Sequence, residues 1–241
     1  MGNLARFALA ICAAALFASC SGSPAPPIGA PNAITQTSVS ASSRTDPHRT
    51  TTSPYEVVYK FSRSQDGGRP DGSLLAVNGM LYGTTRYGGG GACSIYGGTG
   101  CGTVYRLDPK SGRKKRLYSF GGGSADGADP NGDLIDVNGT LYGTTAYGGA
   151  DIGYGWGTVY SITTTGKETM LHSFDSASDG LVPFAGLIDV NGTLYGTTSQ
   201  SSVSGCPFCG TVYSISTSGS EKVLYTFQGG SDGEYPLAGL I

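Results

Sequence analysis

Short apolar runs of five or six residues, each bounded by a Gly-bearing turn, recur from residue 74 to residue 227. Runs of that length between turn residues read as β-strands. The unit at 186–227 is the most regular. Gly186–Val190 predicts a first strand, Asn191-Gly192 a tight turn and Thr193–Thr198 a second strand. Asn-Gly between two such runs is a strong hairpin signal, because a type I′ turn needs positive φ at both central residues. A variable stretch, 199–209, precedes a third strand at Gly210–Ile215; Ser218-Gly219 then turns the chain into a fourth at Lys222–Phe227. The same plan recurs at 133–174, with turns at Asn138-Gly139 and Thr165-Gly166, and at 74–120, with turns at Asn78-Gly79 and Ser111-Gly112. Adjacent apolar residues such as Leu187-Ile188 and Leu224-Tyr225 suit sheets covered on both faces.

Three phrases carry this plan. Asn-Gly-x-Leu-Tyr-Gly-Thr-Thr stands at 78–85, 138–145 and 191–198, and Gly-Thr-Val-Tyr follows each at 102–105, 157–160 and 210–213. Aromatic-x-Phe falls at 59–61, 118–120, 172–174 and 225–227. Recurrence at roughly 50–60 residues marks a solenoid, propeller or array, and four antiparallel strands in sequence order form a propeller blade. The expected fold is therefore all-β: a β-propeller-like array of blades at about 74–120, 133–174 and 186–227. Tyr55–Phe61 matches only a fourth strand, and Leu237–Ile241 only a first. Three complete blades fall short of the four to eight that usually close a propeller, so the expectation is an incomplete propeller, a fragment of a longer array. Strand order puts the long loops 86–101, 146–156 and 199–209 on one face with the blade-to-blade connections, where a site should be sought. Gly83, Gly143 and Gly196, inside second strands, predict close approach of another backbone across a blade-to-blade contact.

The Leu-Tyr-Gly-Thr-Thr, Gly-Thr-Val-Tyr and Tyr-Ser-Phe-x-Gly-Gly…Asp-Gly…Pro phrases resemble the choice-of-anchor GloVer tandem-repeat family of bacterial envelope and secreted proteins, over roughly 55–241. The resemblance implies an extracytoplasmic array attached by differing anchors, with no catalytic motif to carry over. Tyr105, Tyr160 and Tyr213 stand where the family commonly has Phe, and the repeats here are few.

The N-terminus changes the picture of location. Arg6 followed by the apolar run Phe7–Phe17 reads as a secretory signal over residues 1–20. Its end, Leu16-Phe17-Ala18-Ser19-Cys20, resembles a lipobox in which Cys20 is acylated, although Phe17 departs from the usual Leu. Residues 21–54 are rich in Ser, Pro and Thr and predict a disordered tether. The repeat domain spans 55–241. With 41 Gly in 241 residues and a net charge of −2, the composition reads as turn-rich β structure and argues against a nucleic-acid partner. The basic run Arg113–Arg116 reads as charge that blunts an exposed strand edge, with an anionic ligand as the alternative.

Candidate chemistry is sparse. Cys93 with Cys101, and Cys206 with Cys209, sit as pairs within single loops and predict local disulfides in an exported chain. A redox motif and a four-Cys zinc site are the alternatives. Asp66, Asp126, Asp179 and Asp232 each precede Gly after a fourth strand. They either cap their own turns or ring the loop face and hold a ligand. Tyr87, Tyr147, Tyr154, Trp156 and Phe208 lie in the long loops, to stack on sugars or to cover seams. Two histidines, His48 in the tether and His172 at a strand Tyr position, argue against a Ser-His-Asp relay or a His-rich metal site, and no cofactor is expected. The resulting expectation is a lipid-anchored or secreted, non-enzymatic module. It would bind a glycan or protein through Tyr87, Tyr147, Trp156, Asp126, Asp179 and Asp232, or act in surface display. The alternatives are an extracytoplasmic carbohydrate-active enzyme using loop-face carboxylates and a purely structural array.

Overall fold

Three antiparallel four-stranded sheets, each formed by strands in sequence order, make up the repeat region of the computed structural model. The structure describes residues 55–91, 93, 100–150, 155–175, 179–201, 206 and 208–241. The leader, Cys20, the tether with His48, and Tyr154 lie outside them. Blade 1 comprises β1 (Leu75–Val77), β2 (Met80–Thr85), β3 (Thr103–Leu107) and β4 (Lys114–Ser119). A two-residue strand, β5 (Gly127–Ala128), leads into blade 2: β6 (Ile135–Val137), β7 (Thr140–Thr145), β9 (Thr158–Thr163) and β10 (Glu168–Ser173), with the short β8 (Tyr147–Gly148) between β7 and β9. Blade 3 comprises β11 (Ile188–Val190), β12 (Thr193–Thr198), β13 (Thr211–Ser216) and β14 (Glu221–Thr226). The all-β, four-in-order expectation holds. The flanking segments Tyr55–Phe61 and Leu237–Ile241, which the sequence matches to a fourth and a first strand, form no strand.

The first turn of each blade has the predicted handedness. Asn78 and Gly79 have φ of 49° and 75°, Asn138 and Gly139 54° and 83°, and Asn191 and Gly192 55° and 82°. Both central residues are left-handed, as a type I′ hairpin requires.

The glycine inside each second strand has a different partner from the one expected. Gly83, Gly143 and Gly196 pair directly with Tyr105, Tyr160 and Tyr213 on the third strand of the same blade. A Cβ at Gly83 would lie 2.6 Å from the Tyr105 hydroxyl oxygen, and the other two sites repeat this crowding. A tyrosine ring from within the blade, rather than a neighbouring backbone, needs the space. Leu-Tyr-Gly-Thr-Thr and Gly-Thr-Val-Tyr are thus two halves of one packing device.

Blades join through a repeated aromatic ladder. Phe120 stands edge-on to Tyr118 of its own blade at 5.1 Å and to Tyr160 of the next at 5.1 Å. Phe174 does the same between His172 and Tyr213, and Phe61 between Tyr59 and Tyr105. Phe120 and Phe174 are fully buried, so each edge-to-face pair adds to the hydrophobic gain of a large side chain. Each fourth strand also carries one bulge, at Leu117, Leu171 and Leu224, where the pairing register shifts. The Leu117 and Leu171 carbonyls lie against Gly166 and Gly219, the turn glycines of the following blade. A side chain there would strike that carbonyl, which explains why the turn between the third and fourth strands ends in Gly.

Candidate functional site

The long loops and the blade-to-blade connections meet on one face through short backbone ladders. Gly68 pairs with Tyr87, β5 with β8, and Leu181 with Gln200. Beneath each ladder lies a buried pair of hydroxyls: Thr85 with Thr103 at 2.7 Å, Thr145 with Thr158 at 2.8 Å, and Thr198 with Thr211 at 2.8 Å. The first Thr of each pair also donates to a loop carbonyl, of Tyr87, Tyr147 and Gln200 respectively. Buried hydroxyls must find partners, and here they pin the loop base to the sheet. Disulfides Cys93–Cys101 and Cys206–Cys209 fix two of the loops, as their spacing predicts.

The loop aromatics divide by role. Tyr87 lies under two guanidinium groups, 5.9 Å from Arg69 and 5.4 Å from Arg86. Tyr147 and Trp156 are half-buried and pack on the cluster of Ala146, Leu181 and Val182. Trp156 also joins the core of blades 2 and 3. Phe208 is 50% exposed and stands edge-on to Tyr235 at 5.5 Å.

Each predicted aspartate is engaged by its own turn. Asp126 accepts from the Gly121 N–H at 2.7 Å, the Gly127 N–H at 2.7 Å and the Tyr118 hydroxyl at 3.1 Å. Asp232 accepts from the Gln228 N–H at 2.9 Å and the Tyr225 hydroxyl at 2.6 Å. Asp66 accepts from the Ser62 N–H at 2.9 Å and the Tyr59 hydroxyl at 2.6 Å. Asp179 accepts from the Asp175 N–H at 3.1 Å, and its Oδ2 lies 2.7 Å from His172 Nε2. The first ring of each aromatic-x-Phe phrase and an upstream backbone amide therefore hold every acid. The four carboxylates occupy four separate turns and do not converge on one site.

What differs between seams is the residue that opens the fourth strand of the following blade. Lys114 faces Asp66 at 2.7 Å, and its ammonium lies 4.8 Å from the Phe61 ring centre. The lysine side chain is only 4% exposed. Burial raises the Asp66 pKa, but hydrogen bonds from Lys114, Tyr59 and Ser62 outweigh it and hold the carboxyl at about 2. Lys114 of the basic run thus turns inward, while Arg116 stays exposed and donates across the seam to the carbonyls of Gln65 and Gly89. The run is not simply a charged edge. Glu168 occupies the place of Lys114 at the next seam, where burial and the Asp126 charge push it up to about 7. Burial also raises Asp126. Glu221 occupies that place at the last seam, raised chiefly by burial, with His172 working against it.

Groups able to hold a metal occur twice among the described residues. Cys206, Cys209 and Glu234 form one, but its two sulfurs are bonded to each other. His172, Asp179 and Glu221 form the other, with donor atoms all within 4.8 Å of one another. The repeat-by-repeat reading of the sequence saw His172 only as a substitution and did not align Lys114, Glu168 and Glu221. Setting the three fourth strands side by side would have found them.

Sequence reasoning also missed a cross-blade ion pair. Arg86, after β2, reaches Asp129 in the next connection with two 2.5 Å contacts to a carboxylate that is 0% exposed. The corresponding places at the following seam hold Ala146 and Val182, both buried. Near the first strands, β1, β6 and β11 line a groove of about 490 Å³ whose polar side chains are Ser73, Asn131 and Asp133. Asn131 Nδ2 is buried there without a hydrogen-bond partner.

No curated protein sequence matches the chain. It is similar to a chain in the crystal structure of a nidogen/laminin complex, at 15% identity and a TM-score of 0.45, over 70% of this chain and 51% of that one. It is also similar to an α-L-arabinofuranosidase from Clostridium thermocellum, at 16% identity and a TM-score of 0.36, over 65% and 51%. The chain spans about half the length of these two, and scores at this level carry no function across. The family model described as the Gloeobacter/Verrucomicrobia repeat matches residues 47–206, well over half of the chain and including the phrases that build blades 1 and 2. The chain belongs to the Gloeobacter/Verrucomicrobia repeat family.

Proposed function

We propose that this repeat protein is an extracytoplasmic binding module, tethered through Cys20 or secreted, whose blades belong to a propeller-like array. Its ligand would sit on the long-loop face. One observation carries the reading: the repeated residues are occupied by packing, whereas the variable residues collect on loops pinned by threonine pairs and disulfides. Rigid scaffolds commonly present recognition on such loops. The disulfides Cys93–Cys101 and Cys206–Cys209 support an oxidising compartment. Among the described residues, no helix is long and apolar enough to cross a membrane.

Aromatic rings on the long loops, Phe208 exposed and Tyr87 half-buried beneath Arg69 and Arg86, favour a glycan as the ligand, because flat rings stack on the apolar faces of sugars. Tyr87 and Phe208 are the residues expected to bear it, with Tyr147 and Trp156 shaping the floor between them. The engagement of all four turn aspartates favours binding over hydrolysis. The test is a soluble chain beginning after Cys20, assayed for retention on a panel of immobilised polysaccharides and for sugar release. Retention without release, reduced in Tyr87→Ala and Phe208→Ala, is the expected result; sugar release or no retention would overturn it. Mass spectrometry of the mature N-terminus should find acylated Cys20 or a secreted form cleaved nearby.

A further inference from the structure

We propose that His172, Asp179 and Glu221 form a binding site for one divalent transition-metal ion, Zn²⁺ being the natural probe, at the seam between blades 2 and 3. Three observations carry it. First, the seam is chemically distinct from its sisters: Tyr59, Tyr118 and Tyr225 occupy the place of His172, and a neutral phenol is a poor ligand where an imidazole is a good one. Second, the donor atoms are gathered: His172 Nε2 lies 2.7 Å from Asp179 Oδ2, and all three donors fall within 4.8 Å of one another. Ligands 2.0–2.2 Å from a tetrahedral ion stand about 3.3–3.6 Å apart, so shifts of about an ångström in the side chains would close the set. Third, Glu221 Oε1 is buried with no hydrogen-bond partner. Glu168, in the same place at the preceding seam, has no such orphaned oxygen among the described residues.

Charge and support agree with this donor set. Two carboxylates balance a dication, and imidazole with carboxylates suits zinc-like ions better than calcium. Asp179 is positioned from behind, its Oδ1 accepting the Asp175 N–H and its carbonyl accepting the Thr211 hydroxyl. Outer hydrogen bonds of this kind orient metal ligands. The His172 side chain is 20% exposed, which leaves a route for the ion and a place for a water ligand.

The experiment is calorimetric titration of Zn²⁺ into the chelator-stripped, disulfide-intact chain, repeated with Co²⁺ to follow its visible absorption. One equivalent should bind. His172→Tyr installs the residue of the sister seams, and Glu221→Gln keeps the side-chain shape; each should weaken binding at least tenfold with the β circular dichroism unchanged. Asp126→Asn, at the preceding seam, should leave binding intact. Absence of stoichiometric binding, equal binding by His172→Tyr and Glu221→Gln, or binding that appears only after the disulfides are reduced would each overturn the proposal.

Discussion

Between blades 1 and 2, Phe120 stands edge-on to Tyr160, and Arg86 reaches across to the fully buried Asp129. Between blades 2 and 3, Phe174 meets Tyr213 in the same manner, but Ala146 and Val182 hold the places of the ion pair. Closer to the bulges, Tyr118, Asp126 and Glu168 at the first seam become His172, Asp179 and Glu221 at the second. The frame is common and the polar filling is not. A repeat can therefore keep its aromatic ladder, turn glycines and threonine pairs while each seam acquires its own chemistry.

The largest effects should be equal at the two seams. Phe120→Ala and Phe174→Ala each open a cavity at a fully buried ring, and each should cost about 3–5 kcal/mol in denaturant unfolding. A clear inequality would show that the ladders are not equivalent. Next comes a difference: Arg86→Ala removes both contacts to a buried carboxylate and should cost about 3 kcal/mol. At the other seam Ala146 already stands in that place.

Acid–base behaviour sharpens the contrast between Lys114 and Glu168. The Glu168 pKa is about 7 in the folded chain, above its usual value of 4.5. As pH rises past 4.5 the unfolded chain releases this proton first. The neutral carboxyl's contribution is therefore complete below about pH 4.5 and lost as pH rises through about 7. Glu168→Gln should be more stable than the parent at pH 8 by about 2 kcal/mol, after allowing for solvent around a half-buried group, and equal to it near pH 4. Asp66 runs the opposite way: its carboxyl, held at about 2, stabilises above the ordinary carboxylate range and loses that contribution as pH falls through about 2. The smallest effect belongs to His172→Tyr without metal. It restores a Tyr–Asp tie used at the sister seams, and unfolding in chelator should change by less than about 1 kcal/mol.

The blade plan was legible because turns and strand lengths are local. Asn-Gly between two short strands favours positive φ at both residues, as at Asn78, Asn138 and Asn191, and Ser218-Gly219 turns the chain between two such runs in the same local way. The tyrosine over Gly143 was not legible, because two phrases separated by a variable loop meet only after β7 and β9 pair. The same holds for the candidate site. The loop face followed from strand order, but Arg86 and Asp129 lie 43 residues apart and belong to different repeats. Lys114 looked like a charge on an edge strand, since nothing near it in sequence announces Asp66 on the far side of the seam.

The most direct test of a common frame with exchangeable filling is the double variant Arg86→Ala/Asp129→Val, which copies the Ala146 and Val182 pair into the first seam. Val182 already tolerates φ of 57°, close to the 60° of Asp129, so the transplanted valine meets a backbone its sister accepts. Urea unfolding should place the double variant within about 1 kcal/mol of the parent while each single change falls about 3 kcal/mol below it. A double variant whose loss equals the sum of the singles would contradict the equivalence of the two seams.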